Sequence, residues 1–174
     1  MVTKLDKIAE NVVQWMIEGK LTLSTAESCT GGLISEKITA VSGASSVFGF
    51  GVCSYANEAK MKLLGVKAET LDSFGAVSLE TAREMAEGVR RLSGSDYGIS
   101  VTGIAGPLGG TPDKPVGTVC IGVSSAEDCE AQCFRFSGES FPDTDSKREA
   151  IRLESAYTAL SLLYNKLKPL RKEG

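Results

Sequence analysis

Residues 25–32 read Thr-Ala-Glu-Ser-Cys-Thr-Gly-Gly and lie between a β-like run at 21–24 and a helical pattern at 33–41, so they form a strand-to-helix turn. Such a turn places small polar side chains and two flexible glycines where backbone N–H groups at a helix start point outward. That arrangement suits an anion or a developing oxyanion. Ser28 and Cys29 are candidate nucleophiles within it. The same residues are also ordinary helix-start chemistry, because Ser28 or Thr30 can cap the following helix while Gly31 and Gly32 merely permit a tight turn. The stretch does not separate these readings, but strand, turn, helix is the order that an α/β chain repeats.

Bulk composition narrows the choice. The 174 residues carry 42% hydrophobic and 24% charged content with five prolines, which supports a sizeable core but not two full domains, so one domain over 1–174 is expected. The formal charge of −3 gives no general attraction to nucleic acid or to an anionic membrane, and no basic stripe or aromatic platform supplies a local one. No apolar run reaches membrane-spanning length, and the start Met-Val-Thr-Lys-Leu-Asp-Lys carries charges in a helical pattern instead of a signal-peptide core. A cytoplasmic location follows as the expectation.

The five cysteines, at 29, 53, 120, 129 and 133, are odd in number and contain no Cys-x-x-Cys pair, so reduced thiols are expected. Cys129 and Cys133 share one strand face but stand on the order of 13 Å apart, beyond disulfide reach. Histidine is absent. Its absence removes the usual general base, the Ser-His-Asp and Cys-His arrangements, and most catalytic zinc sites. No metal or cofactor is expected, and a hydrolase built from this chain must take its base from Lys, Tyr, a carboxylate or an activated water.

Leu5, Ile8, Ala9, Val12, Val13, Met16 and Ile17 recur at helical spacing and give an amphipathic helix over 4–18, closed at Gly19. Residues 46–55, rich in Val, Phe, Gly and Cys, read as a strand that ends at Tyr55, and 57–64 as a short helix stopped by Gly65. On the wheel of that helix Ala56, Ala59, Leu63 and Leu64 surround Lys60, whereas Glu58 and Lys62 face the other way. A lysine on an apolar face either snorkels to water or is held in a desolvated pocket, where its pKa falls and the neutral amine can act as a base. A helix at 69–74, a longer one capped by Ser78, a strand at 97–102, an antiparallel pair at 116–124 and 130–136, and a last helix at about 144–167 complete the pattern, with 166–174 as a fraying tail. Strand 97–102 runs into Gly103-Ile-Ala-Gly-Pro107 and a Gly- and Pro-rich stretch at 108–115, which is either a plain surface loop or a backbone cradle and lid.

Ligand sites in helix-flanked sheets collect at the carboxyl ends of strands, and three such ends here carry small or polar groups: Ser28, Tyr55 and Thr102. One shared pocket is expected. Ser28 is its nucleophile, Lys60 the base, Tyr55 a proton relay or orienting hydroxyl, and main-chain N–H groups near Gly31 or Gly103 the oxyanion donors. Arg148 and Arg152, four apart near the start of the last helix, either pair with glutamates or hold an anionic substrate group. These roles describe metal-free acyl transfer or amide hydrolysis.

Five blocks in order, Thr25-Ala-Glu-Ser-Cys-Thr-Gly-Gly32, Ser54-Tyr-Ala-Asn-Glu-Ala-Lys60 with Leu64-Gly-Val66, Phe74-Gly-Ala-Val-Ser78, Thr102-Gly-Ile-Ala-Gly-Pro107 and Lys114-Pro-Val-Gly-Thr118, resemble the CinA carboxy-terminal domain family over nearly the whole chain. The resemblance implies a three-layer α/β/α sandwich with a mixed central sheet and a homo-oligomer. It also implies an amidohydrolase that converts nicotinamide mononucleotide, its small-molecule partner, to nicotinic acid mononucleotide and ammonia. The family's serine, tyrosine and lysine fall on Ser28, Tyr55 and Lys60. Substrate would lie against Cys29, Thr30, Gly31, Gly32, Thr102 and Gly103, with its phosphate on Arg148 or Arg152; the segment 139–146 leaves that choice open. Many family members carry a separate amino-terminal domain, which finds no match here, and nothing implies a pyrophosphatase activity. The alternative is a nucleotide-binding or protein-interaction module of the same fold without turnover.

Overall fold

A strand that returns to its sheet through a helix re-enters in the same direction, so the strand–helix alternation of the first half dictates parallel pairing. The computed structural model describes residues 3–168. Its sheet has the order β2-β1-β3-β4-β5, built from β1 (Leu23–Glu27), β2 (Phe48–Cys53), β3 (Tyr97–Gly103), β4 (Thr118–Ser124) and β5 (Cys129–Arg135). β1, β2 and β3 run parallel; β4 and β5 are antiparallel additions, β4 reached through the long loop 104–117 and β5 through a short turn. The sheet is therefore mixed, and central β1 and β4 are buried along their full length while the edge strands β2 and β5 largely alternate between half-buried and exposed positions.

Helices cover both faces. On one, α1 (Lys4–Gly19) and α2 (Leu33–Thr39) pack with α6 (Lys147–Leu167), and their apolar stripes meet Leu23, Ile99, Val101 and Ile121 from the sheet. On the other, α3 (Asn57–Leu64) and α4 (Ala68–Phe74) pack against α5 (Leu79–Ser93), whose Met85 and Val89 cover Ala26. The result is the expected α/β/α sandwich. Local chemistry explains the helix starts: Thr3 and Asp6 form a reciprocal capping box on α1, Ser78 accepts from Thr81 N–H on α5, and Ser146 accepts from Glu149 N–H on α6. The α1 terminus differs slightly from expectation, since Gly19 is still helical and Lys20 takes the left-handed closing conformation.

Three further expectations change. β1 extends through Thr25, Ala26 and Glu27, which the polar character of these residues had assigned to the turn. Tertiary partners satisfy the polar ones: Thr25 Oγ1 meets Ser35 Oγ at 2.9 Å, and the Glu27 carboxylate accepts from the N–H groups of Gly32, Ile34 and Ser35. Secondly, Cys120 and Cys133 are directly opposite one another in the β4–β5 ladder, with Cα atoms 4.0 Å apart, and form a disulfide. Five reduced thiols are thus not what the structure contains; Cys29, Cys53 and Cys129 are the free ones. Sequence spacing along one strand says nothing about the cross-strand neighbour, which antiparallel register decides. Finally, Lys166 is held by Asp128 at 2.7 Å and Glu130 at 3.0 Å, and Leu167 is buried, so α6 is anchored where the tail was expected to begin. Residues 169–174 of that tail lie outside the described residues. Among the described residues no helix is long and apolar enough to cross a membrane.

Candidate active site

Two parallel ladders end at the same level. Glu27 is aligned with Cys53 on one side and Val101 on the other, and the pairing continues one step further as Ser28 N–H donates to Val101 O and Ser54 N–H donates to Glu27 O. Ser28 and Ser54 therefore leave the sheet side by side, next to Thr102, which is still paired within β3. The register brings the ends of β1 and β2 together, with Thr102 of β3 beside them.

Lys60 reaches the same place from α3. Its helix turns an apolar face to the protein, and Lys60 on that face is 1% exposed, with its stem in the core and Nζ at the strand ends. Nζ lies 3.2 Å from Ser28 Oγ, 2.8 Å from Ser54 O and 3.2 Å from Tyr55 O. Among the described residues no carboxylate forms an ion pair with it. Burial pushes its pKa below the ordinary 10.5, because an ammonium without an anionic partner loses its hydration on entering the core. The Ser54 and Tyr55 carbonyls can only accept, so Nζ donates to both, and its remaining position faces the Ser28 hydroxyl. Such an arrangement is chemically able to serve as a serine and its general base.

The turn itself is not held by Ser28 or Thr30. α2 starts after Gly32, which makes no side-chain cap, and the N–H groups of Gly32, Ile34 and Ser35 all donate to the Glu27 carboxylate. The Ser28 hydroxyl is thereby released from the capping role that sequence alone left open for it, and Thr30 Oγ1 is buried with no hydrogen-bond partner among the described residues. Gly31 and Gly32 both have positive φ, 60° and 95°, a consecutive left-handed pair that side chains rarely adopt. Gly31 N–H closes on Ser28 O at 3.1 Å, so it is not an oxyanion donor; among the described residues the N–H groups of Cys29 and Thr30 have no acceptor elsewhere in the chain. Cys29 Sγ is buried in the core, which pushes its thiol up to about 12.

Around this centre the other expected residues take different positions. Arg152 donates to Thr30 O at 2.7 Å, clamping the turn from α6. Arg148 donates to Gly106 O of the Gly-rich loop and, at 3.1 Å, to the Tyr55 hydroxyl. Tyr55 is 62% exposed, so its hydroxyl stands at the rim beside Arg148 while its carbonyl reaches Lys60. Thr102 is buried and donates to Ala76 O at 2.7 Å, fixing the connection ahead of α5. Gly103 continues β3, paired with Val119, and does not present an open cradle. In the 108–115 loop, Lys114 Nζ donates to Phe74 O at 2.7 Å, which ties the loop to the end of α4.

Residues 5–167 match the CinA C-terminal domain. The chain belongs to that family. A CinA-like protein from Endomicrobium trichonymphae is 52% identical over 162 residues, 93% of this chain and 36% of the relative, and one from Geobacter sulfurreducens is 46% identical over 168 residues, 96% and 39% respectively. The chain thus spans little more than a third of the length of these relatives. The competence/damage inducible protein CihA from Agrobacterium tumefaciens superposes with a TM-score of 0.87 at 38% identity, covering 95% of this chain and 96% of that one. A CinA superfamily protein from Escherichia coli gives 0.83 at 30% identity, covering 92% and 89%.

In this CinA C-terminal domain, sequence reasoning overlooked Glu27 and the carbonyls of Ser54 and Tyr55. The signal for Glu27 was present as a charged residue inside an otherwise uncharged strand-to-helix stretch. Carbonyl oxygens leave no trace in residue type.

Proposed function

We propose that the protein is an amidohydrolase acting on nicotinamide mononucleotide, with Ser28 as nucleophile and neutral Lys60 as base. The observation that carries this reading is the buried Lys60, whose Nζ lies 3.2 Å from Ser28 Oγ with no carboxylate partner among the described residues. Lys60 takes the Ser28 proton as Oγ attacks the carboxamide carbon. The resulting oxyanion lies against the Cys29 and Thr30 N–H groups. The Lys60 ammonium then returns the proton to the leaving nitrogen, the C–N bond breaks, and ammonia departs from an ester on Ser28. Water, deprotonated by the same amine, attacks that ester and releases nicotinic acid mononucleotide with the Ser28 hydroxyl restored.

The two arginines divide the remaining work. Arg152 donates to the Thr30 carbonyl inside the turn; Arg148, which donates to Gly106 O and to the Tyr55 hydroxyl at the exposed rim, is the guanidinium we assign to a substrate phosphate. Arg148→Ala is expected to raise KM for the mononucleotide by about 10- to 100-fold, the worth of a charge-assisted contact, with kcat within about threefold. The dephosphorylated nucleoside serves as the control, since its KM should not respond. The reading as a whole is tested by chromatographic product analysis after incubation with nicotinamide mononucleotide. Equimolar ammonia and nicotinic acid mononucleotide are expected; saturable binding without either product would support a nucleotide-binding module instead.

A further inference from the structure

Glu27 immediately precedes the nucleophile and is 1% exposed. Its Oε1 accepts from Ser35 N–H at 2.9 Å and Ser35 Oγ at 2.7 Å; its Oε2 accepts from Gly32 N–H at 3.0 Å and Ile34 N–H at 3.1 Å. All four donors belong to residues that follow Ser28. Its backbone carbonyl accepts from Ser54 N–H at 2.8 Å. One residue therefore ties the end of β1 to the end of β2 and to the start of α2, the three pieces that bracket Ser28 and the Ser54 carbonyl bound by Lys60. Four donors also explain how a charged carboxylate is tolerated in the interior.

An ordinary helix cap sits on the helix side of the turn and satisfies one or two N–H groups. Glu27 instead reaches from the strand, across the turn, so the turn cannot change shape without breaking its bonds. Arg152 holds the opposite edge through Thr30 O. Between the two clamps the Cys29 and Thr30 N–H groups have no acceptor elsewhere in the chain among the described residues, and Ser28 Oγ faces Lys60.

We propose that Glu27 is a positioning residue for the nucleophile, whose carboxylate keeps the Ser28 turn in the shape that aligns Oγ with Lys60 and the free N–H groups with an oxyanion. This role belongs to the proposed Ser28–Lys60 site and deepens it. The isosteric amide cannot replace it. An NH2 group in place of Oε2 faces two N–H donors, and in place of Oε1 it still faces the Ser35 N–H, so either orientation forces the turn to move.

The test follows the rate at which a small fluorophosphonate modifies Ser28, measured by intact mass. In that reaction the Ser28 Oγ–P bond forms, the P–F bond breaks, fluoride leaves, and Lys60 takes the serine proton. Wild type should be labelled once, at Ser28. Glu27→Gln should be labelled about 10²-fold more slowly per folded molecule, the order of magnitude lost when an oxyanion donor is displaced. Ser35→Ala, which removes only the hydroxyl among the four donors, should lose about threefold to tenfold and keeps the proposal testable if Glu27→Gln does not fold. With nicotinamide mononucleotide, kcat should fall in the same ratio for both variants while KM stays within about twofold. Variants that melt earlier yet label at the wild-type rate in their folded fraction would show Glu27 to be structural only, and an unlabelled wild-type Ser28 would overturn the proposal outright. Labelling does not need the nucleotide. Labelled wild type that releases no ammonia would end the amidase reading while leaving Glu27's role intact.

Discussion

Ser28→Ala is expected to lower ammonia release from nicotinamide mononucleotide by about 10³-fold or more, equivalent to at least about 4 kcal/mol of transition-state stabilisation. The hydroxyl is the atom within reach of the Lys60 amine, and it has no capping duty that would make the substitution a folding defect. Thermal stability should therefore change little, and the nucleotide should still bind. Cys29→Ala is the matched control. Its thiol, pushed up to about 12 by burial, has on the order of one thiolate in 10⁵ molecules at neutral pH, and its sulfur packs in the core. Turnover should survive in that variant to within a few-fold, with a loss of about 1 kcal/mol in stability from the smaller side chain. Steady-state kinetics and denaturant melts on both variants decide the point; activity lost in Cys29→Ala and kept in Ser28→Ala would reverse the assignment.

Lys60→Met should lower kcat by about 10² to 10⁴-fold, the span associated with removing a general base. Methionine has similar length and suits the apolar face of α3, so the fold should persist even though the Ser54 and Tyr55 carbonyls lose a donor. The pH dependence gives the sharper signature. Because burial lowers the Lys60 pKa beneath 10.5, the neutral amine accumulates as pH rises through that lowered value, and kcat/KM should climb along a limb with its midpoint below 10.5. The stability contribution has a definite sign as well. Between the lowered folded pKa and 10.5 the unfolded chain holds a proton at this lysine that the folded chain does not, so stability rises with pH across that window and is lowest beneath it. Both the activity limb and this increment should vanish in Lys60→Met. A wild-type profile with no limb below 10.5, or a variant that keeps it, would contradict the role of Lys60.

The fold was legible wherever a periodic pattern coincided with a local stop signal. Helix α1 announced itself through its apolar stripe, α3 through Gly65, and α5 through Ser78, all within about a residue of their observed bounds. Thr25 and Glu27 misled because polar residues in a buried strand look like turn residues until their partners on α2 are known. The Cys120–Cys133 pair was invisible for a related reason: it depends on which β5 residue lies opposite Cys120.

For the candidate site, sequence by itself nominated Ser28 and Lys60. A lysine on the apolar side of a short helix, a serine in a glycine-rich strand-to-helix turn and the lack of any histidine restrict the chemistry to very few schemes, because helical periodicity and residue type are local properties. Tertiary structure alone decided how they are used. Parallel register placed Ser28 beside Ser54, burial lowered the Lys60 pKa, and α6 delivered Arg152 to the turn and Arg148 to its rim. Hydrogen-bond partners, desolvation and the distance from Nζ to Oγ arise only when residues remote in the chain are brought together, and these quantities separate a nucleophile from a helix cap.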